Sequence, residues 1–178
     1  ELRDDGLCWN TKTNRVIRVC IPMHNFGHPV RIKEIEKLCR LYNIQLVEDA
    51  AESLGSFFDG IHTGRFGKMS IISFNGNKII TAGGGGMILT DDEVLAEKAH
   101  YYTTQAKDNS LHYVHDEIGY NFRLTNMQAA LGVGQLEQLS KILERKQEIH
   151  HQYCKAVEKI EGLTMAKVPS FAKNNHWM

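Results

Sequence analysis

The chain has no surplus of either charge: 21 Lys and Arg face 21 Asp and Glu, a formal net charge of +0 at pH 7. With no global field to draw it toward nucleic acid or an anionic membrane, a small-molecule partner is the expectation. No apolar run approaches membrane-spanning length. Cysteine is sparse. Cys8, Cys20, Cys39 and Cys154 are widely spaced and include no C-x-x-C pair, so neither a zinc site nor a dithiol redox motif is suggested. Reduced thiols in a cytoplasmic protein are the simplest reading. The nine histidines do not fall at ligand spacing, and adjacent His150 and His151 on an expected helix point in different directions. No metal is therefore expected. Internal repeats and low-complexity tracts are absent, and glycines 83–86 are not a P-loop, because G-x-x-x-x-G-K-[ST] does not occur.

What is present is an ordinary globular balance, with 42% apolar and 24% charged residues in 178, enough for one sizeable core. The chain begins at Glu1 rather than Met and stops at NNHWM, which reads as a piece of something longer. Short β-type runs alternate with amphipathic helices, the pattern of an α/β protein with a largely parallel sheet. Residues 16–22 read as one strand. The segment after Pro29 reads as a helix with Ile32, Ile35, Leu38 and Tyr42 on one face. Residues 44–48 form the next strand and deliver Asp49 at its carboxyl end. FFDGIH (57–62) reads as a hairpin, 69–74 as a buried strand and 87–90 as a further strand. Thr90 and Glu93 have capping-box spacing for a helix through about Thr104, and Thr125 and Gln128 repeat it. Ala129, Ala130, Gly132 and Gly134 leave the second of these helices able to pack closely. A long helix follows with Ile142, Ile149, Tyr153, Ala156 and Ile160 inward and Gly162 as its stop.

The chemistry centres on ISFNGNKIITAGGGGMI, which ends at Ile88, and on VEDAAES at 47–53. Asp49 and Lys78 each follow a strand, and in parallel sheets the carboxyl ends of strands share one rim where ligands bind. A lysine amine beside a glycine-rich loop can form a Schiff base with a carbonyl cofactor, while a rim carboxylate can hold a pyridine nitrogen protonated. Taken singly, the two could equally be a helix-capping aspartate and a solvated lysine. The glycines let the chain turn tightly behind the lysine loop. His24 and Asn25 reach the same rim, but an isolated rim histidine more often packs or caps, and that is the expectation for His24.

These two motifs, with GYNFRLTNMQAALG (119–132), resemble the DegT/DnrJ/EryC1/StrS family of pyridoxal-phosphate (PLP) sugar aminotransferases. The resemblance implies a PLP-dependent transferase of fold type I, here the central part of the large, mostly parallel PLP-binding domain over 1–162, with 163–178 starting the crossing into a small C-terminal domain. It implies that Lys78 of S-F-x-x-x-K carries the cofactor, that Ser73 bonds its phosphate and that Asp49 partners the pyridine nitrogen. Ala51 would lie against the ring. Glu52 would stand near the phenolic oxygen, where relatives often carry Gln or His. Asn121 would be offered to the partner's phosphate group across a homodimer with shared active sites, with Arg123 nearby. The implied reaction moves an amino group, with glutamate as the expected donor, to a nucleotide-linked 4-keto-6-deoxy sugar. TGRFGKMSIISFNGNKIITAGGGGMI, TTQAKD and YVHDEIGYN look most like the branch leading to legionaminic-acid-type nonulosonates. Two other readings are a PLP-dependent sugar dehydratase, in which a histidine replaces the lysine, and a non-catalytic regulator retaining the fold.

Overall fold

The computed structural model describes residues 1–109 and 111–178. Its elements in chain order are β1 (Cys8–Asn10), β2 (Arg15–Ile17), β3 (Val19–Cys20), a 3-10 turn (Asn25–Gly27), α1 (Ile32–Leu41), β4 (Gln45–Asp49), β5 (Phe57–Phe58), β6 (Ile61–His62), β7 (Met69–Ser73), β8 (Gly86–Leu89), α2 (Glu93–Thr103), α3 (Asn126–Leu136), α4 (Leu139–Val157) and β9 (Ala172–Lys173). The central sheet has the order β3-β4-β7-β8. β3 with β4 and β4 with β7 are parallel, whereas β8 returns antiparallel to β7. The α/β class and mainly parallel pairing agree with the sequence reading. The loop that carries Lys78 and the glycines returns the chain to the neighbouring edge as antiparallel β8.

The expected single strand over 16–22 is divided. Residues 15–17 pair back onto β1 as a hairpin, closed by left-handed Asn14, and only Val19 and Cys20 join β4. The buried stripe of α1 also differs from expectation. Ile32 and Cys39 are buried and Ile35 is partly covered, while Leu38 and Tyr42 face outward. The stripe runs at i, i+3 and i+7, one position round from Leu38. Cys39 lies beside Cys20, and burial together with that neighbour pushes its thiol up to about 11. All four cysteines are free.

Thr90 does not cap α2. Its hydroxyl donates to Lys68 O and accepts from Asp92 N, and Asp92 caps the helix by accepting from Leu95 N. Thr125 does cap α3, in a reciprocal capping box with Gln128. In α4 the covered residues are Leu139, Ile142, Leu143, Lys146, Ile149, His150, Cys154 and Val157. Tyr153 and Ala156 point outward, and Ile160 lies beyond the end of the helix, exposed. The helix stops at Val157, five residues before left-handed Gly162.

Two apolar clusters hold the body together. Ala50, Ile72, Phe74, Ile80 and Ala82 form one, covered by Leu124, Leu139 and Ile142; Ile32, Cys39, Leu46 and Phe58 form the other. The tail after α4 returns to the body, where β9 pairs antiparallel with β5, and Asn174, Asn175 and Trp177 are buried. No helix among the described residues is long and apolar enough to cross a membrane.

Candidate active site

β4 and β7 run side by side with Asp49 opposite Ile71, so Asp49 and Ser73 come to the carboxyl ends of neighbouring strands. Asp49 Oδ1 accepts from Ala51 N at 3.1 Å, a short-range turn that fixes the carboxylate. Its Oδ2 has no hydrogen-bond partner among the described residues. Ser73 Oγ accepts from Asn75 N at the start of the loop that carries Lys78.

The carboxylate just before Asp49 has a different task. Glu48 is fully buried, with Oε1 accepting from Phe66 N and Gly67 N at 2.6 and 2.7 Å. Its Oε2 accepts from Gly64 N at 2.8 Å and faces His24 Nε2 at 3.0 Å. Burial opposes the charge, but the His24 bond and the three backbone amides outweigh it and hold the carboxyl below its ordinary range. His24 Nδ1 accepts from Val30 N, so its proton sits on Nε2 and goes to Glu48. His24 is thus a packed, hydrogen-bonded core residue, as the sequence suggested.

Lys78 and Glu52 meet directly. Lys78 Nζ donates to Glu52 Oε1 at 3.4 Å, and both side chains are largely covered, at 13% and 18% exposure. Glu52 Oε2 accepts from Phe26 N at 2.7 Å, made possible by the left-handed conformation of Phe26 (φ 52). The Glu52 carboxylate therefore has a donor on each oxygen. Lys78 Nζ also lies 4.4 Å from the centroid of the Trp177 ring.

Trp177 and Asn175 carried no signal in the sequence beyond an aromatic residue near the end of the chain. Asn175 donates from Nδ2 to Glu52 O and Leu54 O, and its backbone amide donates to Ser56 Oγ. Its Oδ1 accepts from Trp177 N. About 100 positions separate the Lys78 loop from this segment, so only folding brings them together.

Asn121 is exposed and bridges Thr104 rather than joining the Lys78 group. Arg123 Nη1 lies 2.9 Å from His100 Nδ1. Both Arg123 and Ser73 line a groove of ≈ 860 Å³ floored by β7 and β8 and walled by α2 and α3. A second cavity of ≈ 570 Å³ lies between α4 and the tail, lined by His150, His151 and His176. His150 and His176 stack there at 4.0 Å. Among the described residues no group of three or more His, Cys, Asp or Glu is placed to hold a metal ion.

Comparison with known proteins gives this geometry a context. The chain is 39% identical over 161 residues to a putative pyridoxal phosphate-dependent aminotransferase, EpsN, of Bacillus subtilis, covering 90% of this chain and 42% of that protein. It is 38% identical over 156 residues to GDP-perosamine synthase of Escherichia coli O157:H7, covering 88% and 42%. The aminotransferase TlmJ of Streptoalloteichus hindustanus has the same fold with a TM-score of 0.84 at 27% identity, over 90% of this chain and 44% of that one. The chain thus spans about two fifths of the length of these curated relatives. The sequence profile of the DegT/DnrJ/EryC1/StrS aminotransferase family matches residues 10–178, and the chain belongs to that family.

Proposed function

We propose that the protein binds pyridoxal 5'-phosphate at the Lys78 rim and transfers an amino group, taken from glutamate, to a nucleotide-linked 4-keto-6-deoxy sugar. The observation that carries this reading is the covered Lys78 amine, set between Glu52 and Trp177 at the rim of a parallel sheet, in a chain of an aminotransferase family. The donor set fits the cofactor. Asp49 offers an uncommitted carboxylate oxygen to a protonated ring nitrogen, Ser73 a hydroxyl to the phosphate, and Lys78 the amine. Ala51 is small enough to admit a flat ring.

When bound, PLP supplies an aldehyde that joins the Lys78 amine and a ring that withdraws electrons from the reacting carbon. Asp49 would hold the proton on the ring nitrogen. Lys78 Nζ would move a proton between the reacting carbons, as general base and then general acid. Glu52, accepting from Lys78 and from Phe26 N, orients that amine.

The sugar is assigned to nonulosonate or surface-polysaccharide precursors of the legionaminic-acid type. A GDP-linked sugar in the name of one relative supports a nucleotide-sugar substrate. The protein works in the cytoplasm as a homodimer with shared active sites, Asn121 reaching the partner's phosphate group. Exposed Ile118 (81%), Phe122 (70%) and Met127 (85%) around that segment support an interface there. Residues 1–162 belong to the large domain, and 163–178 lead into the small one.

Supplying the full-length protein with glutamate and a UDP- or GDP-linked 4-keto-6-deoxy sugar is expected to yield the amino sugar. Borohydride reduction is expected to leave the pyridoxyl group on Lys78. Activity confined to free 2-keto acids defeats the substrate assignment, and an adduct on another residue defeats the assignment of Lys78.

A further inference from the structure

We infer that the 3-10 turn Asn25–Gly27 is a positioning element for Lys78, acting through the Phe26 backbone amide, which holds the Glu52 carboxylate on the Lys78 amine. The inference rests on the cofactor reading above and goes beyond it, because the turn belongs to none of the motifs that suggested that reading.

Glu52 has few anchors. Among the described residues its carboxylate accepts from two donors only, Phe26 N at 2.7 Å and Lys78 Nζ at 3.4 Å. The amide contact lies within the ordinary range for an N–H donor and the lysine contact beyond it. The amide therefore fixes the carboxylate, and the carboxylate in turn directs the amine. Glu52 is also the only hydrogen-bond partner of Lys78 Nζ among the described residues. Without the amide, only the lysine itself would orient Glu52, and the two side chains would swing together.

The amide points at Glu52 because Phe26 adopts φ 52 and ψ 29, a left-handed conformation that residues with a side chain rarely take. Burial of the ring does not account for it, since Phe26 is 49% exposed. The backbone on either side does. His24 is locked by Glu48 and by Val30 N, and its carbonyl accepts from Gly27 N at 3.2 Å. Gly27 O accepts from Ser56 Oγ at 2.7 Å, and a Cβ on Gly27 would lie 2.0 Å from Asn175 Oδ1, so the turn has no room to relax toward the tail. Strain held in place by its surroundings, with the strained amide aimed at a group that touches the reacting amine, is the mark of a positioning device. His24 N also donates to Asp49 O at 3.0 Å. The turn thus rides on the strand end that presents Asp49, and one piece of backbone sets Asp49, Glu52 and Lys78 relative to one another.

The test separates the amide from the ring and uses the full-length protein. Pyridoxal 5'-phosphate is added, and the adduct on Lys78 is trapped with borohydride at timed intervals and quantified by peptide mass. The amine condenses with the aldehyde with loss of one water, and borohydride delivers the hydride that fixes the C–N bond. Phe26→Val resists the left-handed backbone and is expected to slow adduct formation by about 10- to 100-fold, the worth of a hydrogen bond to a charged group. Phe26→Gly also lacks the ring but keeps the amide and favours that backbone, and it is expected to restore most of the rate. Phe26→Ala falls between the two, and carries the comparison with Phe26→Gly where Phe26→Val does not fold. Glu52→Ala is expected to match the loss in Phe26→Val, and adding Phe26→Val or Phe26→Ala to it is expected to cost less than about 2-fold more, since the amide acts through that carboxylate. Equal rates across the folded Phe26 variants, or a Glu52→Ala protein that reacts at the unsubstituted rate, overturn the inference and leave the cofactor reading standing. No adduct on Lys78 in the unsubstituted protein overturns the cofactor reading and the inference with it.

Discussion

Adjacent carboxylates in VEDAAES have opposite fates. Glu48 is spent on structure, closing the 64–67 loop through three backbone amides and binding His24, while Asp49 keeps an oxygen uncommitted. The alternation of a strand decides this, since neighbouring side chains point to opposite faces. Glu48→Gln places an amide nitrogen against backbone donors, and it is expected to destabilise the fold by about 3–5 kcal/mol. Chemical denaturation measures this, and a change below about 0.5 kcal/mol would show that the loop holds itself. The motif made both acids visible, but their division of labour depended on which face of β4 meets the loop. Glu52 was legible as a residue of the motif; its two donors, Lys78 and Phe26 N, were not.

At the scale of elements, the glycines behind Lys78 are not equivalent. A Cβ on Gly86 would meet Ile72 O at 2.5 Å, whereas one on Gly84 meets nothing closer than Gln128 Nε2 at 4.0 Å. Gly86→Ala must therefore spread β7 from β8 and is expected to cost about 1–3 kcal/mol, while Gly84→Ala stays within about 0.5 kcal/mol. Equal Tm values for the two variants would contradict this placement. The reading of elements succeeded where local chemistry was decisive, as in the Thr125–Gln128 box and the Asp-Gly hairpin of β5 and β6. It failed at Thr90, where Asp92, two residues on, was the better-placed cap. It also failed on α4, where periodicity gave a face but not which neighbour would cover it.

On the scale of the whole molecule, the tail is docked by groups that resist protonation. Burial, followed by the charges of His150, His28 and His151, lowers His176 to about 4 from an ordinary 6.5, and burial lowers His28 as well. Glu144 and Lys173 line the same cavity. The sign follows from linkage: between pH 6.5 and about 4 the undocked tail binds a proton that the docked His176 refuses. Docking is at full strength above pH 6.5 and weakens as the pH falls toward 4. Amide exchange of residues 174–177 is expected to quicken over that window, ahead of β4 and β7, and His176→Asn is expected to flatten the response. Exchange in the tail independent of pH-driven opening would remove this role of the histidine.

By itself the sequence determined the α/β class, the family and the rim residues Asp49, Ser73 and Lys78, because strand-end positions and short motifs are local properties of the chain. Tertiary structure alone decided what surrounds them. The pairing of Val19 and Cys20 with β4, the loop held by Glu48 and the arrival of Trp177 beside Lys78 join residues about 20 to 100 positions apart. Such contacts are fixed by which surfaces bury one another, a choice that no local spacing encodes.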